Sequence, residues 1–233
     1  MEHFSRYAVY YAPEAGSALA RFGARWLGWD AQAGQACPHP ENTGLPNSGL
    51  PVAALTATPR KYGLHGTLKP PFRLAKGRTV KELDLALAHL ARTQQGFDIA
   101  NISLRSIGGF LAITPTNPAP ALSDLARACV QELDAFRAPP TSAELARRRS
   151  AGLSDAQESN LMRWGYPYVM QDFRFHLTLT GRLDPAAIAP VQQYVQTALA
   201  APLCVPLPVR EICLFGEADD GHFHILKRYG LGG

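Results

Sequence analysis

The sequence predicts an α+β fold in which one structural unit occurs twice. Short alternating strands are interspersed with amphipathic helices along the 233 residues, a pattern typical of mixed folds. The order strand, helix, hairpin occurs in both halves of the chain. In each half the first of these strands carries the sequence His-x-Thr-Leu. We therefore expect a distant internal duplication with antiparallel pairing.

The first half begins with a strand, a helix and a long loop. Residues 7–11 read as a strand, and residues 17–29 read as a helix with Leu19, Phe22, Trp26 and Leu27 near one face. Residues 31–60 are rich in Pro, Gly, Asn and Ala without periodicity. Long loops of this kind are often binding loops or lids.

The first motif strand is followed by a helix and a hairpin. A capping box from Thr79 to Glu82 begins the helix, and its expected core positions are Val80, Leu83, Leu87 and Leu90. Residues 97–106 and 110–114 read as strands, and the Gly108–Gly109 pair between them is a hairpin signal.

The second half repeats this order after additional helices. A helix with apolar residues at helical spacing ends before Pro139 and Pro140. Capping boxes at Thr141 and Ser154 predict two short helices in an insertion near residues 139–165. The second motif strand is followed by a helix that begins at Pro185, and residues 210–215 and 223–229 read as its hairpin strands.

Both motifs place a histidine and a threonine on one face of a strand. From 172 to 180, Phe and Leu residues alternate with polar residues that include Arg174, His176 and Thr178. In the first copy His65, Thr67 and Lys69 share a face, and Pro70 and Pro71 are expected to end the strand. At average amino-acid usage, two copies of the motif are expected on the order of once per thousand chains.

The paired motifs and their flanks resemble a known superfamily. The His-x-Thr motifs are similar to those of the 2H phosphoesterases. The flanking segments resemble one branch of this superfamily, first described as a domain of unknown function (DUF1045-like). That branch is associated with phosphonate breakdown through the C–P lyase system. The matching segments are residues 6–13, 62–69, 136–139, 164–169 and 173–181.

This resemblance implies one domain of two pseudo-twofold lobes over residues 1–233. Antiparallel sheets would line a central cleft, and helices would lie outside. It also implies hydrolysis or transesterification of a phosphodiester without a metal, and it leaves the substrate open.

The motif residues suit acid–base chemistry on a phosphate. His65 and His176 would act as base and acid in an order that the sequence leaves open, because one imidazole can be neutral while the other is protonated. Thr67 and Thr178 would donate hydrogen bonds to the non-bridging oxygens. Neither motif has the spacing or the carboxylates of a metal site, so we expect no metal and no cofactor.

Further residues are candidates for substrate binding. Arg174 and Lys69 are in phase with the motif residues, and Tyr168 belongs to an aromatic cluster with Trp164 and Tyr166. The arginine run, whose members are Arg147, Arg148 and Arg149, is either a solvated helix face or a clamp for a second anionic group.

Composition suits a small anionic substrate. The net charge of +4 and pI near 9.0 are low for a dedicated nucleic-acid binder, so RNA is a less favoured partner. The four cysteines lack Cys-x-x-Cys spacing and no apolar run would span a membrane, which indicates a cytoplasmic protein. Oligomeric state is left open.

Three functions are compatible with this pattern. The leading one is a phosphodiesterase for a small, cyclic, sugar-linked phosphate in phosphonate catabolism. An RNA-end or 2′,3′-cyclic nucleotide enzyme is the first alternative. A non-catalytic phosphate-binding protein is the second, although pure binding would favour Arg and Lys over two titrating rings.

Overall fold

A computed structural model describes residues 4–41 and 51–232. Its main feature is a seven-stranded sheet in which all neighbouring strands are antiparallel. The strands, in the order in which they lie across the sheet, are β11 (Phe223–Gly230), β10 (Glu211–Glu217), β1 (Arg6–Tyr11), β4 (Gly66–Phe72), β8 (Leu177–Thr178), β7 (Phe110–Pro115) and β6 (Ile102–Ile107). Two short pairs lie outside it, β2 (Trp29–Asp30) with β3 (Gln35–Ala36) and β5 (Phe97–Ile99) with β9 (Leu207–Val209).

Four of the described helices begin at a side-chain cap, supplied by Ser17, Thr79, Thr141 and Ser154. Reciprocal capping boxes are present at Thr79, Thr141 and Ser154, as expected. No helix in the described part of the chain is both long and apolar enough to cross a membrane. The helices are α1 (Ala18–Leu27), α2 (Val52–Leu55), α3 (Ala57–Arg60), α4 (Val80–Thr93), α5 (Pro120–Glu132), α6 (Ser142–Arg149), α7 (Asp155–Trp164), α8 (Pro185–Ala198) and α9 (Ala200–Leu203).

The two faces of the sheet have different roles. On β1, Tyr7, Val9 and Tyr11 join the large core formed with α1, α4, α5 and α8, whereas Ala8 and Tyr10 join a smaller cluster on the opposite face. This split follows from the alternation of side chains along a strand. The face opposite the helices is therefore the one that carries the polar motif residues.

The repeated unit is visible in the topology. The series β1, α1, β4, α4, β5, β6 corresponds to β7, α5, β8, α8, β9, β10, and the equivalent strands β4 and β8 pair with each other in the middle of the sheet. The predicted equivalence of the two hairpins is therefore only partial, because β7 occupies the position equivalent to β1 and β11 has no counterpart among the described strands. The equivalent strands β5 and β9 also pair with each other. Pairing of equivalent strands is what a pseudo-twofold axis requires, so the expected α+β fold with duplicated, antiparallel units is confirmed.

Several predicted elements differ from the structure. β8 contains only Leu177 and Thr178, because the residues before it do not pair with β4 or β7 although their burial alternates. β4 continues through Pro70 and Pro71 to Phe72. Because Val9 pairs with Lys69 and Tyr7 with Phe72, Pro70 and Pro71 lie opposite the single residue Ala8 in a bulge, one of the places in a sheet where proline is tolerated.

Two further differences concern packing and loop structure. Val80 is 38% exposed, because it is the first residue of α4 and lies outside the core face formed by Leu83, Leu87 and Leu90. The described part of the predicted loop over residues 31–60 contains β3, α2 and α3. These elements of two to four residues are too short to produce a period. Residues 42–50 lie outside the described chain.

Candidate active site

The two motifs meet at their middle residues. Gly66 on β4 pairs with Leu177 on β8, so the next positions place His65 opposite Thr178 and His176 opposite Thr67. Facing side chains in such a ladder have Cβ atoms about 5 Å apart, and diagonal neighbours such as the two histidines are about 7–8 Å apart. We refer to His65, Thr67, His176 and Thr178 as the motif quartet, and the structure brings all four together on one face.

Gly66 allows this close meeting. A Cβ atom at position 66 would lie 2.2 and 2.5 Å from ring atoms of Phe175 and 3.1 Å from Leu177. These side chains occupy the space beneath the quartet on the core side. The lack of a side chain at Gly66 in the first motif therefore leaves room for Phe175 and Leu177 at the second motif.

Both histidines are oriented by the same hydrogen bond. The Nδ1 of His65 lies 2.9 Å from the carbonyl oxygen of Gly63, and the Nδ1 of His176 lies 2.8 Å from that of Arg174. A carbonyl only accepts, so each Nδ1 carries the hydrogen. In the neutral ring the lone pair is then on Nε2, which leaves Nε2 as the nitrogen that exchanges protons at the site.

The threonines have unused hydroxyls. Within residues 4–41 and 51–232, neither Thr67 nor Thr178 makes a side-chain hydrogen bond, and both are half-buried. Thr180, two residues further along, instead accepts a hydrogen bond from the backbone N–H of Leu111 at 2.9 Å. The motif threonines thus keep donors for a ligand, while Thr180 has a structural role.

Aromatic rings enclose His65. Its ring centroid lies 4.2 Å from that of Tyr10, 5.3 Å from Tyr62 and 6.4 Å from Phe215. Burial lowers the pKa of His65 to about 4, with a smaller contribution from the nearby His176. His65 is therefore neutral at pH 7.

The equivalent position beside His176 is open. Tyr10 pairs with Thr67 on one side of the quartet, and Ala112 pairs with Thr178 on the other. The pseudo-twofold axis therefore relates a tyrosine to an alanine. Among the described residues, His176 has one aromatic neighbour, Phe110, at 5.8 Å. The two histidines share a geometry but differ in environment.

A cavity of about 190 Å³ opens beside the quartet. Tyr168, which is 41% exposed, and Arg174 contribute to its wall. Arg174 donates from Nη1 to the carbonyls of Gln171 and Phe173 at 2.8 and 2.7 Å. The lining residues are Thr67, Leu68, Pro70, Tyr166, Tyr168, Val169, Asp172, Phe173, Arg174 and His176; we call this space the motif cavity.

The expected position of Lys69 is wrong. Val9 pairs with Lys69 but Tyr10 pairs with Thr67, so Leu68 is an extra residue that reverses the alternation. Lys69 is 1% exposed and donates from Nζ to the carbonyl of Val130 on α5 at 3.1 Å. Burial lowers its pKa to about 8, and the side chain lies on the helix side of the sheet, away from the quartet.

The arginine run is divided. Arg149 pairs with Glu158 on α7 at 2.5 Å. Arg147 and Arg148 line a separate cavity, and the guanidinium carbon of Arg148 lies 4.6 Å from the ring centroid of Tyr166. In the parts of the chain described, no three His, Cys, Asp or Glu side chains form a cluster suited to a metal ion.

Sequence reasoning missed Tyr10 as a neighbour of His65. The signal was present, because Ala8 and Tyr10 share a strand face, but the pairing of β1 with β4 is a tertiary contact. In a strand that extended back to residue 62, alternation would place Tyr62 on the opposite face from His65. Because β4 begins at Gly66, Tyr62 instead packs against the His65 ring.

Comparisons with known proteins give two curated relatives named ribose 1,5-bisphosphate phosphokinase PhnN. The protein from Janthinobacterium sp. (strain Marseille) is 34% identical over 224 residues, which is 94% of this chain and 49% of the relative. The protein from Laribacter hongkongensis (strain HLHK9) is 33% identical over 220 residues, 93% of this chain and 49% of the relative. The chain thus spans about half the length of the curated relatives it matches.

Solved structures with similarity along the whole chain include a phosphoesterase at 14% identity and TM-score 0.46, covering 98% of this chain and 99% of that one. Escherichia coli LigT complexed with NADP+ is 18% identical with TM-score 0.46, covering 99% of both chains. The model of a family described as "Protein of unknown function (DUF1045)" matches residues 67–224. Because this match spans well over half of the chain, the protein belongs to the DUF1045 family.

Proposed function

We propose that the protein is a metal-independent phosphodiesterase that opens a small, cyclic, sugar-linked phosphate ester. The observation that supports this best is the motif quartet on one sheet face. Among the described residues, its two histidine Nε2 atoms and its two threonine hydroxyls have no hydrogen-bond partner. Two titrating rings beside two neutral donors suit proton transfer at a phosphate better than simple anion binding.

In this mechanism His65 is the general base. Its buried ring is neutral at pH 7, and its Nδ1–H is donated to Gly63, so the Nε2 lone pair can accept a proton from water. The water oxygen forms a bond to phosphorus as that proton moves to Nε2. The cover supplied by Tyr10 supports this assignment, because a ring held neutral is ready to act as a base.

His176 is the general acid. As the phosphorus–oxygen bond to the leaving sugar oxygen breaks, protonated Nε2 of His176 gives its hydrogen to that oxygen, and the product is a phosphate monoester. Thr67 and Thr178 donate hydrogen bonds to the non-bridging oxygens, where negative charge increases in the transition state. The two protons balance, since His65 gains one and His176 loses one in each turnover.

The setting that we infer is phosphonate catabolism with a ribose phosphate as substrate. The name of the two relatives refers to a ribose bisphosphate, which supports a phosphorylated sugar as substrate. The 233 residues contain no G-x-x-x-x-G-K-[ST] segment, the loop that binds nucleotide phosphates in many kinases. We therefore assign the phosphokinase activity in that name to the half of the relatives outside the match.

A 2′,3′-cyclic nucleotide is the second candidate substrate. The exposed ring of Tyr168 lines the motif cavity and would stack on a base. This possibility differs from the first only in what is attached to the ribose, so one substrate panel separates them.

The test is a panel of cyclic phosphates followed by phosphorus NMR with a chelator present. We expect ring opening of a ribose-linked cyclic phosphate to a monoester, with no loss of rate on chelation. Turnover of base-containing substrates alone would favour the nucleotide reading. Activity that is lost on chelation and restored by a divalent metal would overturn the proposal.

A further inference from the structure

A second cavity, of about 50 Å³, adjoins the motif cavity. Five arginines line it, together with one carboxylate, Glu144. They come from β1, from the end of β4, from the segment after α5 and from α6. We call this space the arginine cavity, and its arginines are Arg6, Arg73, Arg137, Arg147 and Arg148.

Three of these arginines are neutralised by ion pairs. Arg6 pairs with Glu217 at 2.5 Å, Arg73 with Glu144 at 2.7 Å and Arg137 with Asp134 at 2.8 Å. Arg147 and Arg148 have no carboxylate within 4 Å in the described residues. Two of the five guanidinium groups are therefore not paired with a carboxylate in the described residues.

The geometry of α6 sets which arginines face the cavity. Glu144 is held by the capping box with Thr141 and by Arg73. Arg147 and Arg148 follow it by three and four residues and share its face of the helix. Arg149 is five residues on, and its guanidinium contacts Glu158 on α7. Two adjacent arginines thus line the cavity, and the third pairs with α7 instead.

The two cavities meet at Tyr166. This residue lines both of them, with the Arg148 guanidinium over its ring. Along β4, Pro70 lines the motif cavity and Pro71 lines the arginine cavity. Thr67 and Pro71 are four residues apart, which is at most about 13 Å along a strand, and the two bulges of β4 in this stretch shorten that separation. Because Thr67 lines one space and Arg147 and Arg148 line the adjoining one, a phosphorylated sugar placed across Tyr166 would reach both.

We propose that the arginine cavity binds a terminal phosphate monoester of the substrate. The substrate class is then a sugar that carries two phosphorus groups, a diester opened at the motif quartet and a dianionic monoester held by Arg147 and Arg148. Guanidinium groups bind phosphate oxygens through paired N–H donors, which suits a terminal phosphate with three free oxygens. This inference rests on the proposed function for the identity of the first group.

The first test is binding of ribose 5-phosphate, measured by isothermal titration calorimetry with ribose as the blank. This probe has a terminal phosphate and no diester, so its binding is independent of catalysis. We expect the double variant Arg147→Gln/Arg148→Gln to weaken binding by about 10- to 100-fold, the range for hydrogen bonds to a charged group. Arg149→Gln is the matched control and should bind as the parent does.

The second test compares adenosine 2′,3′-cyclic phosphate with its 5′-phosphorylated form as substrates. The 5′-phosphate should raise kcat/KM in the parent, mainly through KM, and the double variant should lose that advantage.

The two proposals fail in different ways. Binding of ribose 5-phosphate that needs Arg147 and Arg148, without hydrolysis of any diester, supports the monoester site and overturns the phosphodiesterase. Hydrolysis with equal kcat/KM for both nucleotides, or ribose 5-phosphate affinity that the double variant leaves unchanged, overturns the monoester site.

Discussion

Two histidines with the same hydrogen bond differ in what covers them. Each donates Nδ1–H to the carbonyl two residues before it, but Tyr10 stacks near His65 whereas its equivalent beside His176 is Ala112. Burial disfavours the charged imidazolium. One substitution between the two repeats therefore supports a division of roles, with His65 as base and His176 as acid.

The pKa of His65, which burial lowers, should set the acidic limb of the pH–rate profile. With the pKa of His65 lowered to about 4, the base stays unprotonated as the pH falls below 6.5. It is lost only as the pH approaches 4. We expect kcat/KM to rise with pH along a limb whose apparent pKa is near 4. Steady-state kinetics between pH 3.5 and 8 with a fixed substrate measure it.

The variant Tyr62→Ala tests whether burial causes the low pKa of His65. Tyr62 is half-buried and its ring lies 5.3 Å from that of His65, so its removal admits water and should move the limb toward pH 6.5. A parent enzyme whose limb is already centred near 6.5 would contradict the assignment of His65 as the buried base.

Arg174 should act mainly in substrate binding. It lines the motif cavity with Thr67 and His176, but the proposed phosphate donors are the two threonines. We expect Arg174→Gln to raise KM by about tenfold and to change kcat by less than about threefold. The matched control is Arg127→Gln, which removes a surface ion pair with Asp124 on α5. A loss of kcat at constant KM would instead assign Arg174 to transition-state stabilisation beside His176.

At the scale of single residues, local alternation predicted the quartet correctly but failed for Lys69. His65 and Thr67, like His176 and Thr178, are two residues apart, and this distance alone puts them on one face. Lys69 lies beyond an extra residue, Leu68, whose bulge depends on pairing with β1. A register shift of that kind is a tertiary event with no signal in the motif.

At the scale of elements, Gly66 lets β4 and β8 meet. In Gly66→Ala the new methyl would lie 2.2 Å from the Phe175 ring, so the ring or the strand must move. We expect the free energy of unfolding to fall by about 1–3 kcal/mol, as for overpacked cores. Chemical denaturation monitored by circular dichroism measures this change.

Two variants make that prediction specific. Gly230→Ala, at the end of β11, adds a methyl with no atom within 4 Å and should change stability by less than about 0.5 kcal/mol. Phe175→Leu in the Gly66→Ala background should restore part of the loss by removing the ring. A Gly66→Ala protein as stable as the parent would refute the packing argument.

The starts of α4, α6 and α7 were predictable because a capping box involves residues only three positions apart in the sequence. Thr79, Thr141 and Ser154 all cap as the sequence indicates. The length of β8 was not predictable, since residues 173–176 alternate in burial without a ladder partner. Hydrophobic alternation reports which side faces the core, whereas strand assignment requires a neighbouring strand at hydrogen-bonding distance.

At the scale of the whole molecule, the duplication joins two incomplete halves. β7 of the first hairpin pairs with the second motif strand, and β10 of the second hairpin pairs with β1 beside the first motif strand. We propose that residues 139–165 are an insertion in the second unit. These residues lie between α5 and β8. Their counterpart in the first unit is the stretch between α1 and β4.

The sequence could reveal this repeat because the motif and the element order both recur. It could not show that Arg147 and Arg148 line one cavity while Arg149 pairs with Glu158, because this division depends on how α6 packs beside β4 and α7. The arginine cavity is accordingly visible only in the assembled fold.

The most direct test of the account is the turnover of one cyclic phosphate, with chelator present, by the parent, His65→Ala, His176→Ala and the double variant. Each single change should lower kcat by about 10²- to 10⁴-fold. The kcat of the double variant should be only slightly below that of the less active single variant, because the two rings act on the same phosphate. The exposed His89 on α4 supplies a control, His89→Ala, that should match the parent. A single-histidine variant that keeps the parent's turnover would contradict the paired acid–base mechanism.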